Sequence, residues 1–207
     1  MIALLIPVMR AEKIAALIEN IDRTTDAPHQ IYWACTKPSE CCDVLLGLGE
    51  FVYTDEGDTW GHRINRLFDL TKEPYVFLGA DDVRFHEGWD EHALKAIDSI
   101  QGVVSVNDLS NPNGTLALVS RRYINNQSGC VDTPGVVIYP GYSHNFSETE
   151  LFETARRRGR FAYCATSIVE HVHPDANKAE DDEIYQLGRA RLEEDKALFN
   201  SRRHFWI

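Results

Sequence analysis

Residues 2–8, IALLIPV, are apolar without interruption. A strand with one wet face alternates apolar and polar residues. One that is apolar at every position has to be covered on both faces, as in a parallel sheet between two layers of helices. The next segment suits such a sheet. Ile14, Leu17, Ile18 and Ile21 recur at i, i+3, i+4 and i+7, the spacing of an amphipathic helix.

The alternation continues. Strands are expected at HQIYWACT (29–36), EFVYTD (50–55), YVFLGA (75–80), GVVSV (102–106) and FAYCATSIVEHVH (161–173). TLALVSRRYI (115–124) reads as a strand running into a helix or loop. Helices are expected at TWGHRINRLFDLT (59–71), GWDEHALKAIDSI (88–100) and SETELFETARRRG (147–159). In the last of these, Ser147 is expected as the N-cap, Glu150 as its capping-box partner and Gly159 as the residue past the end. Residues 125–142 are rich in glycine and proline and read as turns around one short strand, VVIY. A polar surface helix is expected from Glu180 to Phe199. The pattern predicts one compact α/β domain with a mostly parallel sheet flanked by helices, whose ligand lies beyond the carboxyl ends of the strands.

YVFLGADDVRF (75–85) sets a chemical question at such an end. Two adjacent carboxylates, Asp81 and Asp82, repel each other, and burial favours both charges only with a counter-charge. They can face solvent, pair with Arg63, Arg66 or Arg84, or hold a divalent cation. Downstream, Glu148 falls in the first turn of a helix, where an acid also suits the helix dipole. His171 and His173 point to one face if their strand continues. Carboxylate oxygen with imidazole nitrogen suits Mn²⁺ or Mg²⁺, Mn²⁺ being favoured by the imidazole.

Composition narrows the partners. The formal net charge of −11 over 207 residues gives no general attraction to a phosphate backbone. Two local runs, ARRRGRF and NSRRHFW, mix arginine with aromatics and could grip a nucleic-acid strand, or serve only the fold. The five cysteines contain no C-x-x-C pair and are odd in number, which argues against a zinc ribbon or a disulfide framework and for a reduced, cytoplasmic setting. No stretch reaches the roughly 20 apolar residues of a membrane span.

Four segments, in order, resemble the GT-A-fold nucleotide-sugar glycosyltransferases, close to glycosyltransferase family two and in particular its compact bacteriophage members. LLIPVMR resembles the opening strand where the base docks. GHRINRLFDLTKEPYVFLGADDV resembles the helix and acidic motif that binds the metal. SETEL resembles the acidic motif that supplies the base, and IVEHVHP the late strand whose histidine completes metal binding. The resemblance covers about residues 2–174 and implies a catalytic domain over 1–174, with 175–207 a helix and tail packed on it. Ala80 replaces the first acid of the triplet, and Ser147–Glu148 stands for the usual Glu-Asp.

The resemblance implies transfer of a hexosyl or pentosyl group from a nucleoside diphosphate sugar to an acceptor hydroxyl. Asp82, His171 and then His173 are the implied metal ligands. Asp81 would contact the ribose or a metal-bound water, Arg63 the diphosphate or base, and Pro7 and Thr36 the nucleobase. Glu148 would be the general base, giving inversion. The acceptors implied are a hydroxymethylated DNA base, a virion protein or a surface glycan, in a host cytoplasm. A nucleotidyltransferase is the competing enzyme class, but PVMRAEK lacks a phosphate-binding glycine. A non-catalytic nucleotide-sugar-binding module is the other alternative.

Overall fold

The computed structural model describes residues 1–50, 52–55 and 59–206. The strands are β1 (Ile2–Pro7), β2 (His29–Thr36), β3 (Val52–Asp55), β4 (Tyr75–Leu78), β5 (Val83–Phe85), β6 (Val103–Asn107), β7 (Ala117–Ser120) and β8 (Phe161–His171). They form one sheet in the order β3-β2-β1-β4-β7-β6-β8-β5. The pairs β3–β2, β2–β1, β1–β4 and β6–β8 are parallel; β4–β7, β7–β6 and β8–β5 are antiparallel. Phe51, expected to help open β3, lies outside the described residues.

β1 is buried along its whole length, as its composition requires. Ile2, Leu4 and Ile6 face a layer built by α1 (Ile14–Thr24), α2 (Glu40–Gly47) and α4 (Trp89–Ile100). Ala3 and Leu5 face the opposite layer, where α3 (Trp60–Leu70), α5 (Arg121–Gln127) and α6 (Ser147–Arg157) pack. One strand thus divides two cores, and this is why it carries no polar residue.

Four local expectations are corrected. No strand forms at VVIY. Val137 and Ile138 are buried, but both of their N–H groups donate to Asn65 Oδ1 and Ile138 O accepts from Asn65 Nδ2. A side-chain amide therefore does the work of a neighbouring strand. Ser147 is not the N-cap of α6; Phe146, at φ +63°, holds that position. Glu150 forms no capping box either. It is 1% exposed, accepts from the Tyr142 hydroxyl and is held by Arg202. Finally, the C-terminal helix is two helices, α7 (Glu183–Ala190) and α8 (Leu192–Arg202), meeting at Arg191. They are a packed strap, with Tyr185, Asp195 and Arg202 buried. The sequence pattern also passed over α2 and β5.

Arg202 fixes the end of that strap. Its guanidinium bridges Glu150 and Asp132 and lies 3.3 Å from the Tyr139 ring centroid. Truncating one member of a buried ion pair leaves an uncompensated charge. Arg202→Ala is therefore expected to cost about 3 kcal/mol in urea unfolding. A loss well under 1 kcal/mol would show that this clamp adds little. Three of the other arginines considered for strand gripping are also occupied. Arg156 covers Phe161, Arg158 donates to the Tyr123 hydroxyl and Ser128 O, and Arg160 donates to Ile100 O. Among the described residues, no helix is long and apolar enough to cross a membrane.

Candidate active site

β1 lies between β2 and β4, so the chain leaves it in one direction and returns on the other side. This is the switch point where open α/β sheets bind ligands. The register Leu5↔Leu78 puts the segment after β1 beside the segment after β4. Gly79 allows that contact: a Cβ there would stand 2.4 Å from Ile6 Cδ1. Trp60 Nε1 donates to Gly79 O (2.8 Å), which ties the start of α3 to the same corner.

The acidic pair sits just beyond. Asp81 is 5% exposed. Its Oδ2 accepts from the backbone N–H groups of Met9 (2.6 Å) and Arg10 (2.9 Å), and its Oδ1 accepts from Arg10 Nη1 (2.7 Å). Asp81 therefore binds the β1 loop to the β4 loop. Asp82 has a different set of partners. Its Oδ2 accepts from the Tyr185 hydroxyl (3.0 Å) and lies 3.3 Å from His171 Nε2, while Arg10 Nη1 is 4.0 Å away. Asp82 Oδ1 accepts no hydrogen bond from the described residues.

The counter-charge is Arg10, and not Arg63, Arg66 or Arg84. Arg10 also pairs with Asp182 (2.7 Å) and lies over the Tyr185 ring, its guanidinium carbon 4.2 Å from the centroid. Arg63 donates to Thr36 Oγ1, and Arg84 pairs with Glu170. Arg10 and Asp81 are 71 residues apart in sequence. The signal for Arg10 was its place directly after β1; pairing it with Asp81 required the strand order.

β5 explains how His171 arrives. The chain does not loop from the acidic pair straight to a helix. It enters β5, which pairs with β8 at Val83↔His171, and Val172 N donates to Asp82 O (2.8 Å). On its far side, His171 Nδ1 is 3.5 Å from Thr115 Oγ1, which donates to Asp108 Oδ2 (2.9 Å). These groups aim Nε2 at Asp82. β8 stops at His171, so the expected shared strand face for His171 and His173 does not form. Their rings still lie 5.0 Å apart. His173 Nδ1 accepts from Asp175 N, and its ring edge meets Tyr185.

These groups line a cleft of about 410 Å³. Pro7, Arg63, Asp81, Asp82, Glu148, His171 and His173 all contribute to its wall; Thr36 does not, and is exposed beside Arg63. Among the described residues, the three-donor cluster with its ligand atoms within 4.8 Å of one another is Cys130, Asp132 and Glu150, not Asp82, His171 and His173. Arg202 already fills that cluster with a cation.

The electrostatics separate the two aspartates. Burial and the charge of Asp82 raise the pKa of Asp81, against Arg10 and the two backbone N–H groups. For Asp82, burial acts upward, but His171, Arg10 and Tyr185 hold the carboxyl well below the usual range. His171 is the reciprocal case: burial acts downward, and Asp82, Asp108 and Glu148 raise it above its ordinary value. Glu148 is pushed up by burial, although its own backbone N–H, Ser147 Oγ (3.2 Å) and Thr149 Oγ1 (3.4 Å) oppose this.

No protein-family profile matches the chain, and no curated protein matches it in sequence. Solved structures do match. One is the mannosyltransferase PcManGT from Pyrobaculum calidifontis in complex with GDP-Man and Mn²⁺, at TM-score 0.69 and 13% identity, over 92% of this chain and 60% of that one. Another is glucosyl-3-phosphoglycerate synthase from Mycobacterium tuberculosis with Mn²⁺, UDP and phosphoglyceric acid, at TM-score 0.68 and 14% identity, over 98% of this chain and 78% of that one.

This is a GT-A glycosyltransferase fold.

S. aureus TarS with UDP bound shares it at TM-score 0.61 and 10% identity, over 81% of this chain and 59% of its own. At these identities the likeness fixes the GT-A architecture, and the present chain spans about three fifths of the mannosyltransferase and of TarS.

Proposed function

We propose that the protein is a metal-dependent glycosyltransferase that moves a sugar from a nucleoside diphosphate sugar to an acceptor hydroxyl. The observation that carries this reading is Asp82 Oδ2 and His171 Nε2, 3.3 Å apart, on the wall of a cleft that Glu148 also lines. Two ligands bound at right angles to one ion at about 2.1 Å stand about 3.0 Å apart, so this spacing fits one shared ion. The donor types, a carboxylate oxygen and an imidazole, suit Mn²⁺, which the mannosyltransferase of the same fold holds with its donor.

In this reading Asp82 and His171 would hold the ion, and His173, outside the 4.8 Å spacing, would be the more distant third ligand. When bound there, a divalent ion would supply positive charge against the departing diphosphate, an effect of several kcal/mol. Pro7 and Arg63 border the donor, and Thr36 acts through its hydrogen bond to Arg63. Asp81 keeps the β1 and β4 loops in register, and its Oδ1, which accepts one bond from Arg10, would contact the ribose or a metal-bound water. Glu148 takes the proton from the acceptor hydroxyl as that oxygen attacks the anomeric carbon, and a single displacement inverts it. The sugar, hexosyl or pentosyl, remains part of the proposal, as does the link to compact phage enzymes of family two; of the acceptors considered from the sequence, a surface glycan or virion protein is proposed ahead of a hydroxymethylated DNA base, which the net charge of −11 opposes.

The test is to incubate the full chain with Mn²⁺ and a panel of nucleoside diphosphate hexoses and pentoses. The expected result is thermal stabilisation by one donor, only with the metal, and slow hydrolysis of that donor. Stabilisation with no turnover on any acceptor would assign a binding module instead.

A further inference from the structure

The cleft has two unlike sides, and the difference bears on the acceptor; this inference rests on the transferase reading above. The strap runs from Arg10, through the Arg10–Asp182 pair, to the loop that leads into α6. There Asp195 accepts from the backbone N–H groups of Ser143, His144 and Asn145. Gly188 permits this approach, since a Cβ there would lie 2.8 Å from the His144 ring. The strap therefore walls the side of the cleft next to Glu148 and brings Ile184, Tyr185 and Leu192 into its lining. Phe146, stacked on Phe199 at 5.1 Å, and Met9 line it as well. Met9 is 47% exposed and Leu192 39%. Single exposed apolar side chains are ordinary, but five apolar or aromatic residues converging on one cleft mark a binding surface.

The charges point the same way. Among the described residues that line the cleft, the arginines and lysines are Arg10 and Arg63. Arg10 is consumed by Asp81, Asp182 and the Tyr185 ring. Arg63 reaches toward Thr36 at the end of β2, away from the strap. Lys13 stands 6.0 Å from the Tyr185 ring and does not line the cleft. The carboxylates of Asp82 and Glu148 face this space. Asp82 is committed to His171 and the ion in this reading, but Glu148 pairs with no arginine or lysine among the described residues, so an anionic acceptor beside it would bind at a cost set by desolvation and like charge.

We propose that the acceptor is an uncharged hydroxyl compound that lays an apolar face against Met9, Phe146, Ile184, Tyr185 and Leu192. That face is either the C–H face of a sugar ring or an alkyl or aryl aglycone beside it. Phosphorylated acceptors such as the phosphoglyceric acid held by the mycobacterial synthase, and DNA, are disfavoured.

The experiment uses the full chain with Mn²⁺ and whichever donor is hydrolysed. Transfer is measured to a free monosaccharide, its octyl glycoside, its nitrophenyl glycoside, 3-phosphoglycerate and a single-stranded oligonucleotide. The neutral compounds are expected to accept sugar and the two anions to fail. Equal KM for the three neutral acceptors assigns the ring face, and a lower KM for the octyl or nitrophenyl compound assigns the aglycone. Leu192→Asp is expected to raise the KM of the best neutral acceptor tenfold or more, and an unchanged KM overturns the placement. Transfer to the phosphoglycerate or the oligonucleotide in preference to every neutral compound overturns this proposal alone, as does donor hydrolysis with no neutral acceptor used. Absence of both donor binding and hydrolysis overturns the transferase reading and this proposal together.

Discussion

Glu148→Gln is expected to slow sugar transfer by about 10²–10⁴-fold while donor affinity stays at its original value. Glutamine keeps the size of the side chain; its oxygen can accept from one of the Ser147 and Thr149 hydroxyls and its NH₂ can donate to the other, so the start of α6 is preserved. It loses the ability to take a proton. The carboxyl is suited to that task because burial pushes its pKa above the ordinary glutamate value of 4.5, nearer to the pH at which a base works best. The sign for pH follows. A base acts only when ionised, so transfer by the unaltered enzyme should fall as pH drops through this raised pKa, and the acid limb should lie above 4.5. In Glu148→Gln that limb should vanish along with the rate. Single-turnover transfer and donor calorimetry measure the two quantities separately. Unchanged turnover in the variant removes Glu148 from the role of base.

Asp82→Asn should reduce metal-dependent donor affinity at least about 10–100-fold, the loss found when merely a group supporting a metal ligand is removed. An asparagine oxygen can still accept from the Tyr185 hydroxyl, so the strap should remain docked. The variant should bind donor equally with and without Mn²⁺, and its unfolding temperature should no longer respond to the metal. If Mn²⁺ still strengthens donor binding at the original affinity, the ion is held elsewhere. Asp81 provides the internal contrast. It clasps Arg10 and the backbone N–H groups of Met9 and Arg10, so its removal should act first through stability. Two adjacent carboxylates thus have separable signatures, one read in metal response and the other in unfolding.

Local pattern alone located most of the framework. The unbroken apolar run at β1 and the i, i+3, i+4 spacing of α1 and α3 fix which faces are buried, because burial and element period are encoded within a few residues. The short elements were not legible in this way. β5 is three residues long, and VVIY is buried like a strand while its hydrogen bonds go to Asn65. Glu150 matched a capping box in spacing, yet Arg202, 52 residues away, claims its carboxylate. A local rule yields wherever a distant ion pair in a buried site is stronger than a solvated cap.

The candidate site divides along the same line. The sequence by itself determined that an acidic pair ends a buried strand, that Glu148 opens a helix and that His171 lies near the end of a late strand. Each is a local fact of pattern. Only the tertiary structure decided which aspartate clasps the β1 and β4 loops and which faces His171, that Arg10 is their counter-charge, and that the strap brings Tyr185 onto Asp82. Those outcomes depend on β1 lying beside β4 and on the last 25 or so residues folding back over the first ten. Electrostatic pairing acts through space over a few ångströms, and contacts between residues 71 to 172 positions apart leave no periodic trace in the chain.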